Sequence, residues 1–238
     1  WLQTGEAFTV LFGLVALISP IGRREDGRLT WRVPFAGLAT LVPRRGTVAA
    51  VLVVLGGTTF DGVTRTAWWG SQVRLTAGWE RTAVNTLGLV AVIAIVAAGY
   101  LLASYLAGAL GGTARRGAAA RSIHTLVPIA LAYSVAHYFS LLVFEGQTAW
   151  RLMSDPLGRG WDLFGTAGHQ IDYLALTTTT IAVVVTSAMV VGHVAAVLLA
   201  HDRAAEDIGG SRAAMAQLPM AAVMVGLTIT GLTLLLSV

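Results

Sequence analysis

SIHTLVPIALAYSVAHYFSLLVFE, residues 122–145, decides the fold class. Its one carboxylate stands at the last position, and its only other titratable side chains of note are His124 and His137. As a helix rising 1.5 Å per residue it would extend about 36 Å, more than the roughly 30 Å of hydrocarbon in a bilayer. A soluble helix of that length would show a polar face every second turn, and this one does not. The stretch therefore reads as a membrane-spanning helix, with Pro128 expected to kink it by removing a backbone donor.

Five more apolar runs lie around it, at about 4–20, 46–63, 84–111, 171–200 and 216–238. All but the first are near or above the ~20 residues a span needs, and the first is either short or begins upstream. Strands are excluded as spanning elements, because nothing shows the alternation of a barrel and open edges leave unpaired backbone groups in lipid. The expected architecture is an all-α, polytopic bundle of about six spanning helices forming a single transmembrane domain. Composition agrees, with 55% apolar and 12% charged residues and a mean hydropathy of +0.72. Because the chain begins at Trp1 without a signal-peptide n-region, it is expected to be the C-terminal part of a longer membrane protein.

Every one of the 16 basic residues is arginine, and there is no cysteine. Schiff-base lysine chemistry, disulfides and thiolate metal sites are thereby excluded. With six spans, loops 21–45, 112–121 and 201–215 share one face and carry eleven arginines, against five on the other. The positive-inside rule makes the first face cytoplasmic, and the arginine-only composition hints at a GC-rich genome. Charge spread over three short loops is an orientation signal, so no nucleic-acid partner is expected. The expected partners are the lipid bilayer and other membrane subunits.

Six tryptophans, at 1, 68, 69, 79, 150 and 161, fall on the outer side and only Trp31 falls inside. They are expected to form a headgroup belt. Segment 150–164 is a lid candidate, mixing apolar anchors with turn-forming Asp-Pro and glycine. Gly99, Ala103, Ala107 and Gly111 recur every four residues, as a ridge for close helix contact does.

Ionisable groups inside a membrane are costly, so each is a functional candidate. Depth sorts them into an inner tier of His124, His193 and His201 and an outer tier of Asp61, His137, Glu145, His169 and Asp172. Asp61 sits in GGTTFDG, where glycine and threonine are expected to loosen the helix, at what would be its watery outer end. His137 and Glu145 are about 80° apart around one helix and are expected to share a face. His137 with Asp61 or Glu145 would suit a divalent metal or a proton relay, since imidazole and carboxylate both ligate and exchange protons. His193 and His124 complete the candidate metal ligands. A haem reading needs histidines on facing helices, and only His124 and His193 match in depth. No GxSxG and no P-loop lysine are present, and TTTT at 177–180 reads as back-bonded helix or packing glue.

Four segments, GGTTFDGV (56–63), HTLVPIALAYSVAHYFSLLVFEGQ (124–147), SDPLGRGWDLFGT (154–166) and GHVAAVLLAHDRA (192–204), together resemble a family of polytopic actinobacterial membrane proteins. That family is labelled fenitrothion hydrolase component, and the likeness spans most of the chain. It implies a membrane-associated assembly that hydrolyses an organophosphate ester, and it carries no catalytic assignment to this chain. The leading expectation from the residues is an integral membrane subunit that moves a proton, ion or metal, tested at Asp61, His137 and His193. A metal-dependent hydrolase and a haem-carrying electron-transfer subunit stand as alternatives.

Overall fold

The structure, a computed structural model, describes residues 6–24, 26–44, 46–114, 117–207 and 210–236. Trp1, Arg45, Arg115 and Arg116, which entered the orientation argument, lie outside the described residues. Five helical stretches are long and apolar enough to cross a membrane: Thr47–Thr64, Gly78–Gly111, Ala118–Ser154, Thr178–Ala205 and Arg212–Leu234. The chain is thus an all-α, multi-pass bundle.

Helix α1 (Ala7–Ala16) is the first apolar run, and among the described residues it is a helix of 10. Glu6 starts it, its carboxylate accepting the amides of Phe8 and Thr9 at 2.9 and 2.5 Å. It stops before a two-stranded hairpin, β1 (Ile21–Arg23) and β2 (Leu29–Trp31), turned at Gly27 with φ of 82°. Arg32 folds back across this connection and donates to the carbonyls of Ala16 and Ser19, both at 2.8 Å. A cation on the orphan carbonyls of a helix end favours the stop. The expected sixth span is therefore a short helix here, and the sides assigned to all later loops are unaffected.

Helix α2 (Thr47–Thr64) packs on α4 (Gly78–Gly111), with α3 (Ala67–Val73) as a short helix in the connection between them. Helix α4 packs on α8 (Gly210–Leu236), α8 on α7 (Thr178–Asp207), α7 on α6 (Val127–Ser154), and α6 returns to α2. The five spans close a ring around Leu55, Tyr100, Ile129 and Met189, all fully buried. Large apolar side chains such as Leu87, Ile95, Leu142 and Val183 face outward, as lipid-facing positions do.

The decisive stretch is not one uninterrupted α-helix. Pro128 lies in the first turn of α6, after α5 (Ala118–Ser122) and a 3₁₀ turn at Ile123–Leu126. There its missing N–H costs nothing, because first-turn donors have no helical acceptor. The glycine ridge is also only partly realised: Ala103 and Gly111 are buried, but a Cβ on Gly99 would meet nothing within 4 Å. The closest helix approaches are elsewhere, at Gly56 against the Ile93 backbone, Gly192 against Ala132 and Pro128, and Gly231 against Tyr133.

Candidate functional site

Asp61 occupies the last turn of α2, three residues before the helix ends at Thr64, and its side chain is half exposed there. The threonines before it do not loosen that helix. Thr58 donates to the carbonyls of Val54 and Leu55 at 2.9 and 3.1 Å, and Thr59 to that of Leu55 at 2.7 Å. Such back-bonding satisfies the hydroxyls locally and keeps the helix continuous. Asp61 is consequently held by a regular element and directs its carboxylate across to α6.

There it meets His137, whose Nε2 lies 3.6 Å from Asp61 Oδ2. The imidazole is buried, 5% of its side chain remaining accessible, whereas the carboxylate keeps 48%. Tyr138 completes the group by donating its hydroxyl to the same Oδ2 at 3.3 Å, its ring standing edge-on to the imidazole with centroids 4.8 Å apart. Asp61 Oδ2 thus lies against two neighbouring residues of α6, accepting from Tyr138 and standing in ion-pair range of His137. Arg65, one turn further along α2 and its C-terminal cap, adds a positive charge on the side of the pair toward the outer loop. This three-residue cluster joins α2 to α6 inside the membrane-crossing length of both helices.

The other candidates go elsewhere. Glu145 is exposed and accepts from Thr148 at 3.4 Å. It shares a helix with His137, but eight residues of axial rise separate them by about 12 Å, so a common face does not bring them together. His193 is pinned to α8: its Nε2 lies 2.5 Å from the Met224 carbonyl, and Thr228 Oγ1 lies 2.9 Å from Nδ1 and close to Nε2. Both ring nitrogens thus face helix α8 groups, which makes this an interhelical clasp. His124 is buried in the 3₁₀ turn with Nδ1 2.9 Å from the Arg121 carbonyl of α5. His201 reaches Gln217 at 3.4 Å from an exposed position. Among the described residues, no three side chains of His, Cys, Asp and Glu converge on one point.

The loops at the Asp61 end of the bundle are ordered by their own polar groups. Segment 150–154 is the last turn of α6, and 155–166 is a loop latched to fully buried Ser154. Ser154 Oγ accepts from the amides of Phe164 and Thr166 at 3.1 and 3.2 Å and bonds Thr166 Oγ1 at 2.7 Å. Asp155 accepts the amides of Arg159 and Gly160, both at 2.7 Å, and the Arg159 amide leads in holding its carboxyl below the usual range. Trp68, Trp79, Trp150 and Trp161 are exposed in the manner of a belt. Trp69 is not of their kind, since it donates Nε1–H to Asn85 at 3.1 Å and packs edge-on against Phe60. Thr177, finally, caps α7 by accepting the Thr180 amide at 3.1 Å, which gives the threonine run its first role.

No family model, no curated protein and no solved structure matches this chain. What the chain does must therefore be argued from the cluster itself. Tyr138 was not among the sequence candidates, because neighbours on a helix point about 100° apart; only a carboxylate lying between them, as that of Asp61 does, reaches both. Thr228 carried no signal either, since threonine is common in spanning helices.

Proposed function

We propose that the chain is an integral membrane subunit that exchanges protons through the Asp61–His137 pair, in the outer half of the bilayer. The observation that supports the reading is the 3.6 Å contact between a buried imidazole and a half-accessible carboxylate on facing spans. Imidazole is the side chain whose ordinary titration falls nearest neutrality, and a carboxylate beside it is a ready second carrier. Proton transfer over this gap needs one small adjustment or one bridging water. Tyr138 orients the carboxylate, and its hydroxyl offers a further hydrogen-bonded step.

The arginine distribution supports an orientation in which loops 21–45, 112–121 and 201–215 are cytoplasmic, in a bacterial cell membrane. The pair then faces the opposite side. A single bundle with one such pair suits a component of a larger membrane assembly. The organophosphate hydrolase implied by the family resemblance would need three or more ligands to hold a catalytic metal, and the pair supplies two. The haem reading loses one of its two ligands to the α8 clasp, which occupies both ring nitrogens of His193.

The test is proton flux into proteoliposomes that enclose a pH-sensitive dye, started by an external acid pulse. Wild-type protein is expected to equilibrate the lumen faster than empty vesicles. Asp61→Asn and His137→Gln are expected to return the rate to that of empty vesicles. Wild type no faster than empty vesicles overturns the proposal.

A further inference from the structure

The connection from α6 to α7 is built the opposite way round from a loop in water. After Ser154 the chain turns through Gly158, Gly160 and Gly165, all at positive φ, and runs back beside α6. The Thr166 hydroxyl donates to the Trp150 carbonyl at 3.1 Å, and the Asp172 amide to Gln147 Oε1 at 2.9 Å. Tyr173 packs against Phe144 with ring centroids 5.7 Å apart. Residues 155–174 thus flank α6 from residue 154 back to 144.

Every acid of this segment is spent on the segment's own backbone. Besides Asp155 on the Arg159 and Gly160 amides, Asp162 accepts the Ala167 amide at 2.9 Å and Asp172 the Leu174 amide at 2.8 Å. The large apolar side chains go the other way: Leu157, Leu163, Phe164, Tyr173 and Leu174 are 60–89% exposed. Trp161 is partly exposed too, with Arg159 Cζ 5.4 Å from its ring centroid. A loop facing water turns such groups inward, because each one fixed outward forgoes its burial free energy.

Position says what covers them. Helix α6 has 28 residues and rises about 42 Å, some 12 Å more than the hydrocarbon is thick. With α5 and Arg121 marking the headgroup level before its start, its last two turns and the loop beside them stand at the headgroups of the leaflet at the Asp61 end. The spans below carry lipid-facing side chains at Leu142 on α6 and Val183 on α7, so exposed apolar surface runs on from the spans into the loop. An indole under a guanidinium suits that layer, where acyl chains and phosphates meet.

We infer that segment 155–174 is an interfacial anchor, which inserts Leu157, Leu163 and Phe164 into the boundary between headgroups and acyl chains. Arg159 reaches the lipid phosphates from the same loop. The occupant of this surface is the lipid of that leaflet, and the inference does not depend on the proton-exchange reading.

Because the chain has no cysteine, a nitroxide label can be placed at one site at a time. Leu157→Cys, Leu163→Cys and Phe164→Cys, each at a mostly exposed side chain, would be labelled and reconstituted in liposomes of phosphatidylcholine and phosphatidylglycerol. Leu142→Cys supplies the lipid-facing reference. Electron paramagnetic resonance then reads collision rates with oxygen, which partitions into acyl chains, and with a water-soluble nickel chelate. At two or more of the three loop sites the oxygen rate is expected to exceed the nickel rate at least threefold, as at Leu142. Anything less overturns the inference: high nickel rates mean that the face stands in water, free for a protein partner, and low rates with both reagents mean that protein covers it, a second copy of the chain included.

Discussion

Adjacent glycines on α2 should respond oppositely to the same added methyl group. A Cβ on Gly56 would stand 2.7 Å from both Cα and Cγ1 of Ile93 on α4. Carbon atoms rest at about 3.5–4.0 Å, so the two helices must part by roughly 1 Å. Ile93 Cα is backbone and has no rotamer by which to retreat. Overpacking of this kind costs about 1–3 kcal/mol, and the gain in helix propensity from Gly to Ala offsets only about 0.5–1 kcal/mol of it. Gly56→Ala is therefore expected to destabilise by about 0.5–2 kcal/mol. At Gly57 an added Cβ meets nothing within 4 Å, so Gly57→Ala keeps the propensity gain and is neutral or stabilising by up to about 1 kcal/mol. Unfolding in mixed micelles, followed by tryptophan fluorescence, compares the two variants with wild type. Equal destabilisation of both, or a stabilised Gly56→Ala, would refute the helix packing described here.

Thr228→Val deletes the hydroxyl that clasps His193 and should cost about 0.5–1.5 kcal/mol in the same unfolding assay, as an interhelical hydrogen bond in lipid does. A neutral result would mean that the Met224 carbonyl alone holds the imidazole. Ser154→Ala strands the amides of Phe164 and Thr166 and should loosen loop 155–166, raising the rate of tryptic cleavage at Arg159 at least tenfold. The same loop should be acid-sensitive. Asp155 has its folded pKa below the ordinary 3.8, led by the Arg159 amide, so its contribution is full above that value and is lost as pH falls through the folded one. Hydrogen exchange at the Arg159 and Gly160 amides should lose protection below about pH 4 after correction for intrinsic rates, and Asp155→Asn should remove most of that dependence.

The bundle was legible because lipid imposes one rule on every span: apolar residues for about 20 positions, with backbone bonds closed inside the segment. Run 46–63 accordingly became α2 with little change, and run 122–145 lies inside the longer helical stretch Ala118–Ser154. The first run gave a shorter helix because Arg32, thirteen residues or more along the chain, returns to cap it at Ser19 and Ala16, and a linear pattern does not record such a contact. Asp61 and His137 were legible as titratable groups on spanning helices. Their pairing was not, because it depends on which faces of α2 and α6 meet, and that is set by close approaches such as Gly56 on Ile93 and Gly192 on Ala132. Glu145 was misplaced for a simpler reason, since angular proximity on a helix was weighed without the axial rise.

The most direct test of the central claim is a double-mutant cycle on proton flux, using proteoliposomes of wild type, Asp61→Asn, His137→Gln and the double variant. Groups that act as one unit give strongly non-additive losses. If the pair exchanges protons as a unit, the double variant is no slower than either single variant, and all three run at the rate of empty vesicles. Losses that add on a logarithmic scale, or a single variant with wild-type flux, would contradict the account.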